Sequence, residues 1–127
     1  MTYIPTVKAS NIVLNLPFSE GSGSTAKDYS GEGNDGTISD ATYVKVPDGG
    51  YALNCTTATI AWSDLGTIGT KLCWKDTGTG WELDRNPSFI TTTGMTSFTG
   101  KVRQIIVFDI TLTTSEMDTL ERQTFIE

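Results

Sequence analysis

The chain has 127 residues, the size of one domain, and is long enough to bury a core without metal or disulfide support. Fifteen acidic residues against nine basic ones give a net charge of −6, and the nine are scattered singly, which excludes a nucleic-acid footprint and disfavours an anionic membrane surface. The absence of histidine removes Ser-His-Asp and Cys-His catalysis and imidazole zinc sites, while 22 Thr and 13 Gly tilt the composition towards strands and turns.

Met1-Thr2-Tyr3-Ile4-Pro5 lacks the charged start and long apolar run of a secretory signal peptide. The run Ile12 to Phe18 is too short for a membrane span and is broken by Asn15 and Pro17. It reads instead as the opening strand, with Ile12, Leu14, Leu16 and Phe18 on one face at period two. A flexible turn at Ser19–Ser24 leads to a short strand at Thr25–Tyr29. Ser30-Gly31-Glu32-Gly33-Asn34-Asp35-Gly36 is dense in turn formers. Thr37–Ser39 and Ala41–Val46 read as strands. Pro47-Asp48-Gly49-Gly50 is a turn, and Tyr51–Cys55 and Thr57–Trp62 are the next strands.

Short strands are predicted at Leu72–Lys75, Gly80–Leu83 and Ser88–Thr92. The last strand, Lys101–Asp109, is the strongest. Val102, Ile106 and Phe108 take one face and Ile105 and Val107 the other, so its centre is expected to be buried on both sides. One helix is predicted, from Thr114 to Gln123. Thr113 caps it, Glu116 completes a capping box, and Met117 and Leu120 supply an apolar stripe. The elements fit a single domain over residues 1–127. Cys55 and Cys73 are compatible with one disulfide or two buried thiols, the thiols being preferred because free cysteine behaves as a small hydrophobe.

Both ends of the chain carry a resemblance. Leu16-Pro17-Phe18-Ser19-Glu20-Gly21-Ser22-Gly23, followed by Ala26 to Ile38 with its Gly/Asn/Asp run, resembles the opening of laminin-G-like domains of the concanavalin A-like lectin/glucanase superfamily. Ala52-Leu53-Asn54-Cys55 sits where that family usually has a strand of Ala-Leu-x-Phe type. Phe98-Thr99-Gly100-Lys101-Val102-Arg103-Gln104-Ile105-Ile106-Val107-Phe108 and Leu112 to Met117 resemble its ending. The resemblance implies an all-β, antiparallel jelly-roll β-sandwich with one short C-terminal helix. The middle, Thr56 to Ser97, is shorter than in the family, which implies missing or trimmed strands in the variable part where the family's binding loops largely sit.

Four chemistries follow for weighing. Asp28, Ser30, Asn34 and Asp35 offer oxygen ligands at calcium-like spacing, against the preferred reading of a structural turn whose side chains fold back on backbone amides, so no cofactor is expected. Glu82 and Asp84 lie on one side of a strand, half of a glucanase-like carboxylate arrangement. The second Glu is replaced by Asn86 and Pro87, so no hydrolase is expected. Trp74 and Trp81 flank the Asp76–Gly80 turn. With Asp76, Asp84 and Arg85 they form the candidate ligand site, aromatic faces for a sugar ring beside hydrogen-bonding groups, against core packing of the tryptophans; Trp62 is assigned to the core. Threonine-rich stretches at Thr56-Thr57 and Thr91-Thr92-Thr93 offer an adhesive surface, against the preferred reading of solvated strand faces.

The expectation is a non-catalytic structural or adhesion module, a virion-associated capsid decoration or head-fibre protein. It would be held by contacts with a protein surface or by self-association, and would bind a glycan as a further partner. It would bind no nucleic acid or membrane, and in a viral setting it would sit on the virion surface. The alternative is a carbohydrate-binding module of a larger secreted protein.

Overall fold

The computed structural model describes residues 9–47, 49–78 and 80–121. The expected residues Met1 to Pro5, Asp48, Thr79 and Gln123 lie outside these. Seven strands are present among the described residues: β1 (Ile12–Leu16), β2 (Thr25–Ala26), β3 (Gly36–Lys45), β4 (Tyr51–Ala61), β5 (Lys71–Asp76), β6 (Glu82–Arg85) and β7 (Gly94–Phe108). One helix, α1 (Thr114–Glu121), follows. Every pairing is antiparallel. The architecture is therefore the all-β antiparallel sandwich with one short C-terminal helix that the sequence predicts.

The two layers are parts of one hydrogen-bonded sheet in the order β2-β3-β4-β7-β5-β6, with β1 also on β7. β7 makes this possible by its length of 15 residues. Its first part, Gly94 to Val102, pairs with β4. Its second part pairs with β5 on one side and with β1 on the other, so Ile105 and Ile106 have neighbours on both sides. Between the layers lies the main core, which draws Leu14 and Leu16 from β1, Leu53 and Ile60 from β4, Cys73 from β5, and Val102, Ile105 and Val107 from β7. A second cluster lies on the outer face of the β1-β7-β5 layer. Ile12, Leu72, Trp74, Ile106 and Phe108 meet Leu112, Met117 and Leu120 there.

This explains why the centre of β7 is apolar on consecutive residues: one face meets the main core and the other meets α1. The helix starts with the expected capping box. The Thr113 N–H donates to Glu116 Oε1 at 2.8 Å, and the Glu116 N–H donates to Thr113 Oγ1 at 3.1 Å. Arg85 on β6 ties α1 down through Asp118 at 2.8 Å and Glu121 at 3.5 Å.

Period-two reading fails wherever a bulge intervenes, because one extra residue turns every following side chain to the other face. Ile12 was expected with Leu14, Leu16 and Phe18. The register slips between Ile12 and Leu14, and Ile12 joins the helix-side cluster while the other three fill the main core. Val102 was expected with Ile106 and Phe108. Lys75 pairs with Val102 while Trp74 pairs with Gln104, leaving Arg103 as the extra residue, and Val102 turns into the main core with Ile105.

Bulges also join what the sequence reads as separate strands. Asp40 (φ 63°) lies inside β3 and Thr57 (φ 49°) inside β4, each beside a register shift. The expected strand at Ser88–Thr92 is instead a turn with a single bridge from Ile90 to Met95. β7 begins seven residues earlier than expected, at Gly94 rather than Lys101.

The cysteines are free thiols, both buried in the main core. Burial pushes Cys55 from 9.0 up to about 12, and burial together with the Asp84 charge pushes Cys73 higher still. In the unfolded chain both thiols ionise near their ordinary value, so above it the unfolded state binds fewer protons than the fold. This contribution to stability is whole below pH 9 and declines as pH rises towards 12. Tyr43, raised by burial and by Glu20 beside its hydroxyl, slopes the same way. Urea denaturation at pH about 10.5 should show a loss of roughly 1–2 kcal/mol per thiol relative to neutral pH. Cys73→Ala should flatten that slope, and an unchanged slope would contradict the assignment.

Candidate functional site

The run from Asp28 to Gly36 is assembled around one carboxylate. Asp28 is 5% exposed. Its Oδ1 accepts the N–H groups of Asn15 and Ser30, both at 2.9 Å. Its Oδ2 accepts the Ser30 hydroxyl at 2.8 Å and the Asn34 N–H at 2.9 Å. Asp35 in turn accepts the Asp28 N–H, and the Asn34 side-chain amide donates to the Val13 carbonyl. These residues do not fit a calcium ion: donors occupy both Asp28 oxygens, and the Asn34 amide turns its N–H, not its oxygen, to the backbone. No group of three or more Cys, Asp or Glu suited to a metal ion occurs among the described residues. The structural turn is the reading the geometry supports.

The five predicted ligand-site residues fall in three places. Trp74 is 4% exposed and packs under α1, because Leu72 and Trp74 alternate with Cys73 and face the helix. Its ring offers no open face to a sugar. Asp84 turns to the other side of β6 and forms an ion pair with Lys75 at 2.7 Å. That hydrogen bond raises the Lys75 ammonium above its usual value. Arg85 faces the helix and holds Asp118. Asp76 ends β5 and Trp81 immediately precedes β6, one at each end of the turn between them. Trp62, assigned to the core, is buried there, and its indole N–H has no partner among the described residues.

Asp76 is fixed by its turn. Its Oδ1 accepts the Gly78 N–H at 2.7 Å and the Gly80 N–H at 3.1 Å. Both glycines have positive φ (123° and 114°), a conformation that L side chains rarely adopt. The two amides, with Lys101 nearby, hold the carboxyl below the usual carboxylate range. The turn lines a shallow depression of about 210 Å³ with Asn54 and Gly100-Lys101. Neither Asn54 nor Lys101 was a candidate from the sequence. They meet Asp76 through sheet register alone, since Lys101 pairs with Asn54 on β4 and with Asp76 on β5.

No family model, curated protein or solved structure matches the chain. Among the described residues no helix is long and apolar enough to cross a membrane.

Proposed function

We propose that the protein is a non-catalytic attachment module, a rigid sandwich of laminin-G-like type that holds a protein surface or a second copy of itself. The observation that carries this reading is the state of its carboxylates. Asp28 accepts four hydrogen bonds within its turn, Asp84 is paired with Lys75, and Asp76 is anchored by two backbone amides. An acid–base pair needs one carboxyl kept protonated opposite another that is free to react. Partnered groups of this kind are scaffold. Beside Asp84, Glu82 on β6 has no second acid two positions beyond Asp84, where Asn86 and Pro87 follow.

The setting this reading favours is the surface of a particle such as a virion, where a symmetric shell offers many equal sites to a small rigid domain. Two measurements on the full chain test it. Light scattering during size exclusion, over a range of concentrations, should show reversible self-association. Nitrophenyl glycosides should be left intact. A strict monomer with no affinity for any particle, or glycoside turnover that Glu82→Gln abolishes, would overturn the proposal.

A further inference from the structure

We propose that copies of the chain bind head to tail, with Tyr29 of one copy seated in the Asn54–Lys101–Asp76 depression of the next. The inference rests on the attachment reading and names the contact that holds a second copy. Tyr29 is the knob. Among the described residues it is the one large apolar side chain on the exposed surface, at 52%. Its backbone is held on both sides. The Tyr29 N–H donates to the Asn15 carbonyl at 2.8 Å, and the Asp28 carboxylate accepts the Ser30 N–H and hydroxyl. A tyrosine on a fixed backbone has only two side-chain torsions left to order, so seating its ring costs little entropy. The Lys27 ammonium lies 5.9 Å from the centre of the same ring.

The depression is the socket. Its volume of about 210 Å³ exceeds the roughly 150 Å³ of a cavity that holds benzene, so one phenol ring has room. Gly78 and Gly100 line it with bare backbone, and a side chain at Gly78 would stand in open space. Asp76 uses Oδ1 for the Gly78 and Gly80 amides, which leaves Oδ2 to accept the phenol O–H. Lys101 and Asn54, its neighbours in the row, supply donors for the phenol oxygen. The charges are complementary as well. The knob is flanked by Lys27 and Glu32, both exposed, and the socket carries Asp76 and Lys101, so each side offers one charge of either sign to the other. Knob and socket are different patches, which makes the contact heterologous. Each copy places its own Tyr29 on one neighbour and opens its own socket to another, and the assembly grows into a ring or a filament.

Light scattering of the full chain during size exclusion, from micromolar to millimolar concentration, tests the contact. The parent should grow beyond a dimer as concentration rises. Tyr29→Ala removes the knob and Asn54→Trp fills the socket, and each should weaken association at least about tenfold. Both positions are exposed, so thermal melts of the two variants should match the parent's. Lys101→Glu, which sets a second negative charge beside Asp76, should weaken association in the same way and serves if Asn54→Trp disturbs the sheet. An equimolar mixture of Tyr29→Ala and Asn54→Trp keeps one intact socket and one intact knob. It should form one-to-one dimers that grow no further, a rescue that a symmetric interface does not give. A Tyr29→Ala variant that associates like the parent, a mixture that stays monomeric, or a parent that stops at a dimer would overturn this contact and leave attachment through another surface standing. A parent that remains a strict monomer overturns it too, and the attachment reading then rests on affinity for a particle.

Discussion

Asp28→Ala should cost about 3–5 kcal/mol, a large share of the roughly 5–15 kcal/mol that a domain of this kind has in total. The change removes one acceptor and strands four donors: the backbone N–H groups of Asn15, Ser30 and Asn34 and the Ser30 hydroxyl. The Asn15 amide is buried inside β1 and has no water to turn to. Asp28 also joins distant parts of the chain, since Asn15 belongs to the first strand and Asn34 to the turn before β3. Its loss therefore loosens the seam between them. Ser30→Ala removes one donor to Asp28 and one acceptor, that of the exposed Glu32 N–H, and should cost only about 1 kcal/mol. Urea denaturation of the two variants gives the comparison. An Asp28→Ala variant within about 0.5 kcal/mol of the parent would contradict the structural role assigned to the turn.

Phe18→Ala should be comparably severe, at about 3–5 kcal/mol, because a fully buried ring is lost from the main core and the surrounding strands close only partly over the gap. The backbone adds a second, opposite effect. Phe18 sits at φ 51°, where a Cβ is crowded and glycine is not. Phe18→Gly should therefore be no worse than Phe18→Ala, and less destabilising by up to about 1 kcal/mol, although glycine removes more side chain. Thermal melts of both variants decide it. A glycine variant clearly less stable than the alanine variant would show that the position is an ordinary extended residue.

The features legible in the sequence were those set by local chemistry. The capping box of α1 needs only Thr113 and Glu116, and it forms as read. The Gly/Asn/Asp turn after Asp28 needs only residues within reach of one side chain. Burial of β7 on both faces follows from apolar neighbours in sequence. What escaped depends on register. The face of Ile12 and of Val102 was misread because a single bulged residue reverses the alternation, and nothing in Val13 or Arg103 announces a bulge. The early start of β7 was hidden by Gly94 and Gly100, which look like breaks. In the fold Gly94 lies against the backbone of Ile60, where a side chain would collide.

The candidate site divides along the same line. Asp76 and Trp81 were grouped because a single short turn separates them in the chain. Trp74 was placed with them by nearness in sequence, whereas alternation along β5 sends it to the opposite side of the sheet from Cys73. A signal was present: Leu72 and Trp74 form the period-two apolar pair that the Met117 and Leu120 stripe requires as its partner. Asn54 and Lys101 lie 22 and 25 residues from Asp76, and only the pairing of three strands brings the three together. No local pattern carries that information.

The account rests on the union of the first and last strands in one antiparallel sandwich, from which the Asp28 turn and the Asn54–Lys101–Asp76 row both follow. Cross-strand nuclear Overhauser contacts measure it directly. Leu14 should meet Val107, Asn15 should meet Ile106, and Ile106 should in turn meet Leu72 on its other side. Contacts absent between residues 12–16 and 105–108, or contacts in parallel order, would contradict the architecture.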